Sequence, residues 1–237
     1  MKSEYRYEYK YIVDERKNIL LTNHINELMK VDDNIKSGNK YHTRSLYFDD
    51  IENSAYFSVL SGEYKRTKYR IRIYNWNDNE IYLEEKNKEG EFVYKNRSLI
   101  SLEEYNKIIK GDISFLLKKC EMCRRFYIKL RNELLKPRII IDYYRKPFYL
   151  THSDLRITFD FDITVIMFKN NFFNKDSRGF RISEPNTSIL EVKYKKFLPT
   201  VFRKLFSGFD ISRTNYSKYY LSFEYLRNYK LMNWDVK

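Results

Sequence analysis

"TKYRIRIY", residues 67–74, alternates cations with apolar residues. Side chains along a strand point to opposite faces in turn. Lys68, Arg70 and Arg72 therefore share one face, and Tyr69, Ile71 and Ile73 share the other. A row of three cations on one strand face repels itself unless something negative lies against it. The same alternation recurs along the chain. "YRYEYKY" sets Tyr5, Tyr7, Tyr9 and Tyr11 against Arg6, Glu8 and Lys10. "EIYLEEKNK" places Glu84, Lys86 and Lys88 opposite Ile81 and Leu83, and "FVYKNRSL" carries Lys95 and Arg97 on one face. "PRIIIDYYRKPF" brings Tyr143 and Arg145 together. "LRITFDFDI" sets Arg156, Thr158, Asp160 and Asp162 against Leu155, Ile157, Phe159 and Phe161. "SILEVKYK" sets Glu191 and Lys193 against Leu190, Val192 and Tyr194. With "YHTRSLYFDD" these segments predict roughly eight strands. Short turns such as "NWNDNE", and "KEGE" with Gly90 free to take positive φ, predict antiparallel pairing.

The chain is long enough, at 237 residues, for a sizeable core. Its 43% hydrophobic content excludes a disordered chain despite 32% charged residues. Six glycines and four prolines leave no long flexible linker, and the reading is one domain over residues 1–237. The formal net charge of +13 points to an anionic partner without saying which. "MKSEYRYEYKYIV" has no apolar core of signal-peptide length, and no stretch approaches the roughly 20 apolar residues of a membrane span, so a cytoplasmic location is expected.

Helices are expected over 14–30, where Asp14 caps a stripe of Ile19, Leu20, Ile25, Leu28 and Met29, and over 113–135, 199–206 and 216–230. "SLEEY", with Ser101 and Glu104, reads as a capping box. Cys120 and Cys123 form a CxxC pair, but there is no second Cys pair and the three histidines are scattered. Set on a helical stripe with Leu116, Tyr127 and Leu134, the pair reads as small buried thiols.

Alternation by itself is compatible with an open sheet that has one solvated face. Here the polar faces are strongly cationic, with carboxylates at intervals, and several helices are available to cover the apolar face. Eight antiparallel strands can instead close into a barrel with the charged face inside. A lumen of Lys and Arg then needs a polyanion, since unpaired buried charge is expensive. The sparse carboxylates fit a divalent cation that accompanies a polyphosphate.

"RYEYKY", "TRSLYFDD", "GEYKRTKYRIR", "YLEEK", "YYRKPF", "LRITFD", "ILEVKY" and a late "SKYY", in that order over about Tyr5 to Tyr220, resemble the catalytic domain of the vacuolar transporter chaperone (VTC) family. That family is the polyphosphate-polymerase branch of the CYTH-like triphosphate tunnel metalloenzymes. The resemblance implies an α+β fold: an eight-stranded antiparallel tunnel with a charged lumen, surrounded by helices. It implies that Lys68, Arg70 and Arg72 hold a triphosphate, that Arg6 and Lys10 contact phosphate, and that Lys86, Lys95, Arg97, Tyr143, Arg145, Arg156 and Lys193 continue the lining. Ser217 and Lys218 match a late Ser-Lys pair near the reacting phosphate. The resemblance implies the catalytic roles for Arg70, Arg72, Lys86, Arg145 and Lys218. Glu191 is the implied metal ligand, with Glu8 a second one, for Mn²⁺ or Mg²⁺. Many tunnel enzymes begin with E-x-E-x-K, and Arg6 here replaces the first acid, which favours the polymerase branch. No SPX-type regulatory domain is expected before the first strand and no membrane segment after the last helix, so coupling to transport would require a separate membrane partner.

No Walker A or kinase-like glycine loop occurs, so a nucleotide would be gripped by side chains and its base read weakly. Three functions follow: polyphosphate synthesis from ATP, hydrolysis of a triphosphate or nucleoside triphosphate, and non-catalytic binding of polyphosphate or nucleic acid. Nucleic acid is disfavoured because the tyrosines lie opposite the cations, whereas a stacking groove needs both on one side.

Overall fold

The computed structural model describes residues 5–32, 40–169 and 171–231. The chain opens with β1 (Arg6–Asp14) and α1 (Glu15–Leu28), then β2 (Lys30–Val31) and β3 (Tyr41–Asp49). After α2 (Ser54–Leu60) come β4 (Lys65–Tyr74), β5 (Ile81–Glu89) and β6 (Phe92–Ile100). Next are α3 (Leu102–Lys110), a 3₁₀ turn (Ser114–Lys118), α4 (Glu121–Asn132) and the long strands β7 (Lys136–Tyr149) and β8 (Arg156–Met167). Two-residue β9 (Phe180–Arg181), β10 (Thr187–Tyr194), α5 (Thr200–Gly208) and α6 (Lys218–Asn228) complete the described order.

Every strand pairing is antiparallel. Strands run β7-β3-β4-β5-β6-β1-β10-β8, and β8 pairs back onto β7. The eight-stranded sheet is therefore closed, which removes its free edges. Short β2 and β9 attach to β7 and β8. The eight barrel strands are those the alternation predicts; β2 and β9 are not among them, and β2 takes Lys30 from the helix expected over 14–30, which ends at Leu28.

Closure decides which face is which. Leu46, Phe48, Tyr69, Ile71, Ile73 and Leu83 point outward and pack under α3 and α4 through Tyr105, Ile108, Met122 and Phe126. On the opposite wall Ile157, Phe159, Leu190 and Val192 pack under α1 and α5. The tyrosines of β1 lie on this outer side, where Tyr7 stacks on Tyr194 at 5.1 Å and Tyr11 meets Phe206 of α5 at 5.8 Å. A third cluster lies toward one end, where Tyr219, Phe223 and Leu226 of α6 pack with Ile139, Ile141, Tyr143 and Ile163.

Local signals are met where expected. Asp14 accepts from Lys17 N at 2.8 Å at the start of α1, and Ser101 and Glu104 form the reciprocal capping box of α3. Ser101→Ala should cost about 0.5–2 kcal/mol, read as a shifted urea midpoint with an unchanged slope. Gly90 takes φ +58 in the β5–β6 turn, where a Cβ would come within 2.8 Å of the Tyr64 ring.

Some expectations are corrected. The helix over 113–135 is two pieces, because Cys120 is extended (φ −77, ψ 166). The bend lets Leu116 and Phe126 enter one cluster. Leu134 falls beyond the helix, exposed and at φ +52, so it is not on the stripe. Cys120 is exposed and only Cys123 is buried, both as free thiols. In α1 the buried residues are Leu21, Thr22 and Ile25, followed by the buried C-cap Met29, and Ile19, Leu20 and Leu28 are exposed. Asp162 leaves the lumen face. β7 and β8 slip register between Asp142 and Tyr144, Asp162 takes φ +51, and its carboxylate pairs with Arg181 at 3.0 Å outside the barrel. The sequence reading places no helix over Ser54–Leu60, where the structure has α2. Asp49 and Asp50, read as the end of a strand, turn the chain and accept from the N–H groups of Ala55 and Ser54 at 2.9 Å.

Candidate functional site: a basic tunnel

Alternate residues of the strands converge on a cavity of about 530 Å³ inside the barrel. Arg6, Glu8, Lys10, Lys68, Arg70, Arg72, Lys86, Lys95, Arg97, Tyr143, Arg145, Arg156, Glu191, Lys193, Ser217 and Lys218 all line it, so every site residue proposed from the sequence is brought to one place. Tyr41, Tyr74 and Pro147 come from one end of the barrel, and Gly62, Arg66, Lys88 and Arg213 from the other.

Four carboxylates, in three groups, organise the cations. Glu84 of β5 is fully buried. It accepts from Arg70 Nε at 2.8 Å and Lys95 Nζ at 2.6 Å, with Arg72 Nη1 at 3.8 Å. Tyr47 accepts from Arg70 Nη1 at 2.9 Å, and Ser45 accepts from Arg72 Nε at 2.8 Å. Burial opposes the Glu84 charge, but Arg70, Arg72 and Lys95 together hold its carboxyl well below the usual range. The opening strand is thus held by one buried acid on its neighbour. Asp160 of β8 does the same on the far wall. It accepts from both Nε and Nη2 of Arg145, at 2.6 and 2.8 Å, and from Lys218 Nζ at 2.5 Å. Burial would raise it, yet Arg145 and Lys218 keep it at about 2. Glu84 and Asp160 were visible as acids on the charged faces, but their service as anchors was not. That role appears only when non-neighbouring side chains are placed around one lumen.

The third group joins β1 and β10. Lys86 Nζ donates to Glu8 at 2.7 Å, with Lys10 at 3.5 Å. Glu191 pairs with Lys193 at 2.7 Å and Arg145 at 3.1 Å. Burial and the neighbouring Glu191 push the Glu8 carboxyl up, and Lys86, Lys10 and Lys193 overcome them to hold it at about 2. Glu191 lies well below the usual range because Lys193 and Arg145 outweigh its burial. Both acids are therefore ionised and face the cavity. These are the donors that a divalent cation requires. Among the described residues no three His, Cys, Asp or Glu side chains converge. A cation here would draw its other ligands from phosphate oxygens and water, as Mg²⁺ does in phosphoryl-transfer sites.

The lysines carry the converse perturbation. Burial depresses Lys193 to about 7, against the pull of Glu191, and Lys86 to about 8, against the pull of Glu8. Lys68 falls well below its ordinary value through burial, then Lys86 and Lys10. Ser217 caps α6 and accepts from Lys68 Nζ at 3.0 Å, and the Tyr216 carbonyl accepts from Lys10 Nζ at 2.7 Å. The start of α6 is thereby tied to the tunnel wall. Arg6, Lys88 and Arg156 make no ion pair among the described residues. The Arg6 Nε and Thr158 Oγ1 atoms are buried in this lining without a hydrogen-bond partner among the described residues. Such groups are costly unless a ligand meets them.

An anion that draws these lysines into their charged form must take up protons on binding. Binding of ATP near pH 8 should therefore be accompanied by net proton uptake. The test is calorimetry in buffers of differing ionisation enthalpy. Affinity should fall from pH 7 to pH 9 as Lys193 and Lys86 discharge. Stability of the ligand-free protein should move the other way. The folded pKa of Lys193 lies below its unfolded value, so the unfolded chain binds more protons between about pH 7 and 10, and stability rises across that window.

A closed antiparallel barrel with a cationic lumen and a few buried acids is the architecture of the triphosphate tunnel proteins. The VTC domain profile matches residues 5–227. This chain belongs to the VTC domain family. Its fold is similar to that of a candidate adenylate cyclase from Bacillus halodurans, at 14% identity and TM-score 0.53, covering 92% of this chain and 96% of that one. It is also similar to a candidate adenylyl cyclase from Hippeastrum described as having a dominant triphosphatase activity, at 13% identity and TM-score 0.50, with 98% and 99% covered. A third, from Vibrio parahaemolyticus, matches at 11% identity and TM-score 0.50, with 93% and 98% covered. No curated protein matches the chain. Among the described residues no helix is long and apolar enough to cross a membrane.

Proposed function

We propose that the chain is a polyphosphate polymerase that transfers the γ-phosphoryl group of ATP to a growing inorganic polyphosphate inside the tunnel. The observation that carries this reading is how the acids are used. Hydrolysis needs a carboxylate placed to orient water. Here Glu84 and Asp160 are locked in buried ion pairs with lining Lys or Arg, and Glu8 and Glu191, also paired with lining cations, are the two acids assigned to a metal. Transfer to phosphate has the opposite need, since two anions must approach and their repulsion must be offset by cations. Arg6, Lys88 and Arg156 supply charge that is in no ion pair among the described residues.

Phosphoryl transfer asks the protein chiefly for alignment and charge neutralisation. Arg70, Arg72 and Lys95 hold the donor phosphates, with Arg giving two-pronged contacts and Lys acting as a point charge. Lys68 and Lys86, with Lys218 and Ser217 at the start of α6, surround the transferred group. Lys10, Arg6, Lys193, Arg145, Arg156 and Arg97 line the path for donor and acceptor. Glu8 and Glu191 would hold a divalent cation, Mn²⁺ or Mg²⁺, which when bound neutralises phosphate charge. The products are ADP and a chain longer by one phosphate.

The second reading is a triphosphatase, favoured by the activity described for the Hippeastrum protein of similar fold. The two are separated by incubating the purified protein with ATP and Mn²⁺, with ATP and Mg²⁺, and with ATP and excess EDTA, then resolving products on a gel. Polymer and ADP with metal, and neither in EDTA, are expected. Orthophosphate without polymer at any ATP concentration would replace the polymerase with the triphosphatase.

A further inference from the structure

Outside the tunnel, on the outer side of β6, the first turn of α4 carries Cys120 and Cys123 as free thiols with their Sγ atoms 3.1 Å apart. Cys120 is the N-cap and Cys123 the third helical residue, two positions whose side chains meet over the first turn. The two sulfurs differ in access. Cys120 is exposed, and Cys123 is fully buried with Leu116, Met122 and Phe126. They differ in acidity as well. Burial opposes the Cys120 thiolate, but the Cys123 thiol and the first-turn backbone outweigh it and hold it below its ordinary value. Burial, then the neighbouring Cys120, pushes Cys123 up to about 11.

We propose that Cys120 and Cys123 form a thiol–disulfide exchange site, with Cys120 attacking and Cys123 resolving, whose reactants are low-molecular-weight disulfides of the glutathione type. The Cys120 thiolate attacks one sulfur of the disulfide. A Cys120–glutathione bond forms, the original S–S bond breaks, and one glutathione thiolate leaves. Cys123 then loses its proton and attacks the Cys120 sulfur, closing the intramolecular disulfide and expelling the second glutathione. The protein dithiol is oxidised by two electrons and glutathione disulfide is reduced to two thiols. The contact between the sulfurs makes the second step short, and the burial of Cys123 fixes the order. The tunnel plays no part in this chemistry.

The test is intact mass after anaerobic incubation with glutathione disulfide. The wild type should lose two hydrogens without retaining glutathione. Cys123→Ser should stop with one glutathione attached, and Cys120→Ser should stay unmodified. Peptide mapping of the wild type at short times, which needs no variant to fold, should find glutathione on Cys120 and not on Cys123. A wild type that remains a dithiol, or keeps a stable mixed disulfide, would overturn the proposal. So would first attachment at Cys123, or equal reaction of the two variants.

Discussion

Glu84→Gln should lower the stability of the ligand-free protein by about 3–5 kcal/mol, the scale seen when one partner of a buried ion pair is removed. The side chain is fully buried, and Arg70, Arg72 and Lys95 all turn toward it. Glutamine keeps the shape and one acceptor but loses the charge that lets these cations sit together, and the surrounding lumen has little negative charge to replace it. Chemical denaturation of the ligand-free variant reads the loss directly. A second arm identifies its cause. A triphosphate should stabilise the variant, because a ligand that binds only the folded state adds stability in proportion to the logarithm of its concentration over its Kd. A melting curve that barely differs from wild type would mean that the cluster is solvated and that Glu84 is not its anchor.

Arg70→Ala should weaken triphosphate binding by about 1.5–3 kcal/mol, the range of a hydrogen bond to a charged group, or roughly 10- to 150-fold in Kd. The fold should tolerate this change far better than the loss of Glu84. Lys95 at 2.6 Å and Arg72 still neutralise the acid. The loss should be alike for ATP, GTP and inorganic triphosphate, because Arg70 sits in the polar wall with Tyr47 and Glu84 and nothing there reads a base. Calorimetry with the three ligands tests both statements. An unchanged affinity would remove Arg70 from the phosphate path. A loss confined to ATP would show that the base is recognised after all.

The two substitutions separate what could be read in residues 67–74 from what could not. Alternation in "TKYRIRIY" was enough to put Lys68, Arg70 and Arg72 on one face, because a strand has a period of two whatever surrounds it. The same rule, applied strand by strand, yielded the antiparallel set and, with the ordered motifs, the tunnel fold and a site list that the barrel brings together. Capping at Asp14 and Ser101 and the turn at Gly90 were legible for the same reason, since each depends on atoms within a few residues. Other features depended on atoms far apart in the chain. The buried face of α1 follows from how it meets β1 and β10, so Ile19 and Leu20 could not be assigned by helical period in a segment with apolar residues on several sides. The slip between β7 and β8 that turns Asp162 out of the lumen is a property of two strands together. Glu84 and Asp160 were plain in the sequence as acids, but only closure of the sheet surrounds each with cations from other elements, including Lys218 of α6, 58 residues beyond Asp160. Periodicity and capping are local and survive in a single sequence. Charge pairing across a lumen acts through space, and its partners are chosen by the way the strands close.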